Sequence, residues 1–393
     1  MSQFATRGRF LIIALVAAIV AWSLPAGAAS AWSIVPSPNP GTANSINALA
    51  ALSPTEVWGI GSVSSSSYSG CKGRTLATRW NGSAFVEVIP ATPTPLCAAI
   101  NGAAGSSISD LWAVGSTNNA RDVHIRHWDG AMWSTVTGAT IPGPSIGRRQ
   151  RSTMLNAVTT LSSTNAWTVG TAVYPDFSNN NVVEHWDGSS WTLVPAMGPT
   201  GSRLTGVAAV NANDIWAVGS GGFSDTAALA TLIMHWNGTA FAKVASPNSN
   251  RLNFLSGVSA ASSKDVWAVG NSVKDPNDGV SVTRTLIQHW NGSAWLTIPS
   301  PNVGAGNNSL AAVVARSATD AWAVGFYDAI SGDFLTRHTL ALHWNGAAWS
   351  VSTTPNSGTG DNWLTSVVAP TGSTQVFASG NSANGTLVEL FAG

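Results

Sequence analysis

The chain has 393 residues, its 18 Lys and Arg are balanced by 18 Asp and Glu, and charged residues make up 9% of it, well below the roughly 25% of an average soluble domain. Such a balance argues against broad electrostatic attraction to nucleic acid or to an anionic membrane. Two Cys are too few for a disulfide-dense mini-scaffold or a four-cysteine metal site, whereas 19 Trp and 39 Gly stand out.

Residues 1–28 read as a secretory signal peptide. Arg7 and Arg9 form a basic head, Phe10 to Leu24 an apolar stretch, and Ala26-Gly27-Ala28 a small-residue cleavage site. The apolar stretch falls short of the ~20 residues that span hydrocarbon. Cleavage leaves residues 29–393 as one domain with 16 basic and 18 acidic side chains, a net charge of −2. The expectation is a soluble monomer, secreted or on the exterior of the cell envelope, with no membrane span once the signal is removed.

From residue 31 onward one unit recurs. An acidic or amide residue and an apolar one precede Trp-Ala-Val-Gly, at Trp58, Trp112, Trp167, Trp216, Trp267, Trp322 and, degenerate, Phe377. A second landmark, His-Trp-Asn/Asp-Gly, follows at Trp80, Trp128, Trp186, Trp236, Trp290, Trp344 and, reduced to an aromatic, Phe391. Five residues later comes a third aromatic: Phe85, Trp133, Trp191, Phe241, Trp295 and Trp349. Successive first landmarks are 54, 55, 49, 51, 55 and 55 residues apart. Each unit holds four short strand-like runs, and its Asn-Gly or Asp-Gly pair is hairpin chemistry. No sustained helical period occurs outside the signal.

Four strands per unit, repeated radially, predict an all-β fold: a seven-bladed β-propeller of four-stranded antiparallel blades. The last unit lacks its fourth strand. Ala31-Trp32-Ser33-Ile34-Val35-Pro36-Ser37-Pro38-Asn39 matches Ala294-Trp295-Leu296-Thr297-Ile298-Pro299-Ser300-Pro301-Asn302, so the mature N-terminal strand should complete that blade and close the ring. Val-Trp-Ala-Val-Gly followed by His-Trp-Asn-Gly-Ser-Ala-Trp resembles kelch-type propeller repeats over the whole mature chain. The departures are a single regular Gly where kelch repeats have two, and a shorter aromatic spacing.

With Trp32 in the vacant slot, the three landmarks occupy 21 positions, 17 Trp and four Phe. Occupancy at every slot points to packing between blades rather than to one sugar platform per blade. The His before each second-landmark Trp should meet the acid opening the neighbouring strand. The pairs would be Asp110–His127, Asn165–His185, Asp214–His235, Asp265–His289 and Asp320–His343, with Glu56–Arg79 in the first blade.

The loops between strands 2 and 3, and those between blades, are long and dissimilar, and both classes fall on one face of an up-and-down propeller. That face is the expected working surface. Its candidate ligand-binding residues are Arg148, Arg149, Arg151, Tyr174, Tyr327, Asp328 and Trp363. Cys71 and Cys97 also lie there and should form a disulfide closing a loop of about 25 residues. No catalytic residue, metal site or cofactor is expected. The function expected is non-catalytic binding or scaffolding, toward an extracellular protein, a carbohydrate or an envelope component and not nucleic acid. The alternative is a carbohydrate-active enzyme, of glycosidase or lyase type, using loop carboxylates such as Asp328, Asp333 and Asp361 at the axial mouth.

Overall fold

The computed structural model describes residues 31–64, 73–88, 98–117, 122–141, 152–174, 179–199, 201–221, 228–248, 250–273, 282–331 and 334–393. Among them are no helices, and the strands form seven four-stranded antiparallel sheets. We number the blades in chain order: 43–87, 99–136, 152–193, 203–244, 252–297, 308–352, and 362–391 joined by Trp32–Ile34.

Blade 5 shows why the repeat folds as it does. Its strands are Leu252–Ser262, Asp265–Val273, Thr283–Trp290 and Trp295–Thr297. Strand 2 is apolar on both faces because neighbouring blades cover both. In strand 4, on the outside of the ring, Trp295 is buried and Leu296 and Thr297 are exposed. The turn between strands 3 and 4 is set by Asn291, whose Oδ1 accepts the Ser293 and Ala294 N–H groups at 3.0 Å each. Gly292 follows at φ 92°, a conformation open to glycine at little steric cost.

The invariable Gly of Trp-Ala-Val-Gly has a separate cause. Strand 1 of every blade carries a β-bulge, between Leu255 and Gly257 in blade 5. The bulge presses a strand-1 carbonyl onto the glycine. A Cβ on Gly270 would lie 2.0 Å from the Phe254 oxygen, and the same collision recurs at Gly61, Gly115, Gly170, Gly219, Gly325 and Gly380.

Trp32, Ser33 and Ile34 pair with Phe391, Leu390 and Glu389 of the last strand, as the split repeat predicts, and Val35 N–H continues to the Val388 carbonyl at 2.9 Å. The landmark aromatics fill the gaps between blades. Trp267 of blade 5 meets Trp344 and Trp349 of blade 6 with ring centroids 5.0 and 5.2 Å away. Trp58 does the same with Trp128 and Trp133, and Trp216 with Trp290 and Trp295. At the closure Trp322 meets Phe391 at 4.6 Å and Trp32 at 5.5 Å, and Phe377 meets Trp80 and Phe85 of blade 1.

Candidate functional site

The recurrent His are absorbed by architecture. Nε2 of His127, His235, His289 and His343 lies 2.8, 2.8, 2.7 and 3.0 Å from the paired Asp oxygen. His185 lies 3.2 Å from Asn165, and Arg79 is paired with Glu56. Each imidazole also lies against the first-landmark Trp of its own blade, at 4.1 Å for Trp267–His289. Burial alone would raise the Asp110 carboxyl, but hydrogen bonds from His127 and Ser106 outweigh it and hold the group below its ordinary value. Among the described residues no group of three or more His, Cys, Asp or Glu could hold a metal ion.

A second recurrent device escapes a reading based on aromatics. Four residues before the His position, strand 3 carries a Thr, and five to seven residues after the third aromatic comes Ser/Thr-Pro-Asn. In blade 5 the Thr285 and Ser300 hydroxyls are 2.7 Å apart, and Asn302 Oδ1 accepts the Thr285 N–H at 2.9 Å. Blade 4 repeats this with Thr231, Ser246 and Asn248. Blade 6 uses Thr339, Thr354 and Asn356. Blade 7 uses Thr386 with Ser37 and Asn39 from the mature N-terminus. The clamp ties the blade-to-blade connection to strand 3 and caps a peptide N–H that the short fourth strand does not reach.

Blades 2 and 3 depart from it. In blade 2 the positions are Val123 and Gly138-Ala139-Thr140. Val123 fills the space, since a Cβ on Gly138 would sit 2.7 Å from its Cγ2. In blade 3 the positions are Asn181 and Ala196-Met197-Gly198. Asn181 donates to the Ala196 carbonyl at 3.2 Å and accepts from the Ser202 hydroxyl at 3.1 Å. Beside this altered connection lies a cavity of about 370 Å³, lined by Ile141, Tyr174, Asn180, Leu193, Met197 and Ser202 among others. Met197 is 90% exposed at its rim. The walls are mostly apolar with a few convergent amides and hydroxyls, the composition of a ligand site.

Among the described residues, Tyr174 is thus the one predicted site residue that lines the cavity. Arg148, Arg149 and Arg151 lie outside the described residues, as do Cys71, Cys97 and Asp333. Tyr327 and Asp328, expected in a loop, belong instead to a longer ladder. Asp320–Ser331 pairs with Phe334–Trp344 as far as Ser331 opposite Phe334. Asp328 is buried there, taking bonds from Asn307 at 2.9 Å and Arg337 at 3.3 Å. The Arg337 guanidinium sits 3.8 Å from the Phe326 ring centroid, and its backbone N–H bonds Asp361. Tyr327 stacks on His338 at 5.3 Å. Trp363 is a half-buried residue of blade 7 strand 1, paired with Asn381. These residues belong to blades 6 and 7, across the ring from Tyr174 in blade 3, and do not join it in one site. The axial passage, about 150 Å³, is lined by strand-1 residues such as Asn47, Asn101, Asn156 and Thr205, with no ionisable side chain among those lining it.

Fold and site together define a β-propeller with a lateral cavity in one blade. No family model matches the chain, and no curated protein matches it in sequence. Among solved structures it is similar to the one described as "YCF48 bound to D1 peptide", with a TM-score of 0.53 and 13% identity over 94% of this chain and 100% of that one. At that identity the likeness shows the fold alone. No helix among the described residues is long and apolar enough to cross a membrane.

Proposed function

We propose that the protein is an exported, non-catalytic binding or scaffold propeller, kelch-like in its repeats, that recognises an extracellular protein, a glycan or an envelope component through its long-loop face. In this reading residues 1–28 are removed as a signal peptide, residues 29–393 act as a monomer, and Cys71 and Cys97 form a disulfide. The observation that carries it is the blade 3 cavity, which opens where the clamp present in blades 4 to 7 is replaced by other residues. The solved neighbour whose description includes a bound peptide is consistent with a binding role for this fold.

The enzyme alternative needs carboxylates free to exchange protons. Asp328 instead answers Arg337 and Asn307, and Asp361 accepts the Arg337 N–H. These contacts favour the binding reading.

The test is a pull-down and glycan-array screen with residues 29–393, beside Tyr174→Ala/Met197→Asp and Arg148/Arg149/Arg151→Ala variants. The expected result is a ligand retained by the wild type and lost by the Tyr174/Met197 variant while that variant remains folded. Absence of any ligand, or ligands indifferent to that variant, would overturn the assignment. Hydrolysis of an arrayed glycan, abolished by Asp328→Asn, would establish the enzyme instead. Mass mapping without reduction should find Cys71 joined to Cys97; free thiols would refute the disulfide.

A further inference from the structure

The clamp that blade 3 lacks also caps a strand edge. Strand 4 of this blade is only Trp191–Leu193 and pairs with Glu184, His185 and Trp186. Beyond it, Val194 N–H reaches the Val183 carbonyl at 2.9 Å, so Val183 turns its peptide group outward. By the two-residue period of a strand, Asn181 does the same. In blades 4 to 7 the equivalent outward N–H is bonded by the clamp asparagine at 2.8, 2.9, 3.0 and 2.8 Å. In blade 3 Gly198 stands where that asparagine would be, and no side chain among the described residues takes its place.

The uncapped edge and the cavity are the same place, since Asn180, Asn181, Val182 and Gly198 all line it. A ligand there meets an outward peptide group in extended geometry, an apolar recess beside it, and no Asp, Glu, Lys, Arg or His in the lining. A buried charge would find no partner there, so the entering group is neutral. A carbohydrate would present hydroxyls to mostly apolar walls. An extended peptide satisfies both parts: its backbone pairs with the strand edge and a side chain fills the recess.

We infer that the blade 3 cavity binds an extended, uncharged peptide segment that adds to the outer edge of strand 3, exchanging hydrogen bonds with Asn181 and seating an apolar side chain against Ile141, Tyr174 and Leu193. This inference rests on the binding role proposed above and names its ligand class.

The experiment pans residues 29–393 against a displayed library of random linear peptides and measures enriched peptides by fluorescence anisotropy. Enriched peptides should share an uncharged apolar residue. N-methylation of one peptide bond beside that residue should weaken binding about tenfold, the effect of one lost backbone hydrogen bond. Rebuilding the clamp with Asn181→Thr, Ala196→Ser, Met197→Pro and Gly198→Asn should abolish binding in the folded variant, at some cost in melting temperature because a side chain at 198 crowds Ser202. If that variant does not fold, the N-methylation series decides alone, because it leaves the protein unchanged. Peptides that tolerate methylation at every position, or that bind the folded clamp variant equally, overturn the inference. So does a library with no enrichment. A glycan ligand sensitive to Met197→Asp, with no peptide enriched, would overturn it while leaving the binding role intact.

Discussion

His289 touches two partners at once: its Nε2 meets Asp265 at 2.7 Å while its ring stacks on Trp267 at 4.1 Å. The carboxylate therefore orients an imidazole that in turn covers an interblade Trp. Asp265→Ala should cost about 1 kcal/mol, the net worth of a typical hydrogen bond, because the imidazole, 22% exposed, keeps some access to water. Trp267→Ala should cost about 3–5 kcal/mol, since its ring is buried between two blades. Urea unfolding of the two variants checks this order. Two buried glutamates contribute to the pH dependence, opposed below pH 6.5 by His124, which burial lowers to about 4. Burial raises Glu389 to about 8 and Glu184 to about 7, against an ordinary value of 4.5, with the Ala139 N–H opposing the shift at Glu184. The folded chain keeps protons that the unfolded chain has already released. Their contribution should therefore be complete at and below about pH 4.5 and be lost as pH rises toward 7 and 8, by up to about 1.4 kcal/mol per pH unit for each. Glu389→Gln should flatten that decline, read as the melting temperature across the same range.

At the scale of strands, closure of the ring depends on a short element. Three residues pair with the last strand, yet Trp32 also packs against Trp322 of blade 6, and Ser37 and Asn39 clamp Thr386. Deleting residues 31–36 exposes the outer edge of the last strand and unpacks that seam. The expected outcome is a clearly lower melting temperature; an unchanged melting curve would count against closure by the N-terminus. The bulged first strands give a second test. Gly270→Ala places a methyl group against the Phe254 carbonyl, where backbone must move, and should destabilise by about 1–3 kcal/mol. The same change at the exposed turn residue Gly304, where a Cβ would meet nothing within 4 Å but φ is 64°, should cost only its backbone strain, about 1 kcal/mol.

For the molecule as a whole, repetition made the fold legible. Trp-Ala-Val-Gly, His-Trp-Asn-Gly and the aromatic after them recur at spacings that admit four strands and no helix, and the Trp32 segment shows where the seventh blade is completed. The acid–His pairs were legible for the same reason, because Glu56 and Arg79 change together where Asp and His do not occur. The candidate site was much less so. Tyr327 and Asp328 resembled loop residues, but an extended ladder and the Arg337 ion pair take them into the blade. Only Tyr174 was placed beside the cavity. The signal for the rest was present in Ala196-Met197-Gly198, where four other blades have Ser/Thr-Pro-Asn, but its meaning depended on knowing what that triplet holds.

The sequence by itself determined the blade count, the strand order, the closing strand and the structural use of 17 of the 19 Trp. These follow from local periodicity and from matching each unit with the next, which need no coordinates. Only the tertiary structure decided where space remains. A cavity is the absence of side chains contributed by segments distant in the chain, here Ile141, Tyr174 and Met197 around Asn181, and that absence is a property of packing in three dimensions. The pattern along the chain specifies what each strand buries; it does not specify which gap between them stays unfilled.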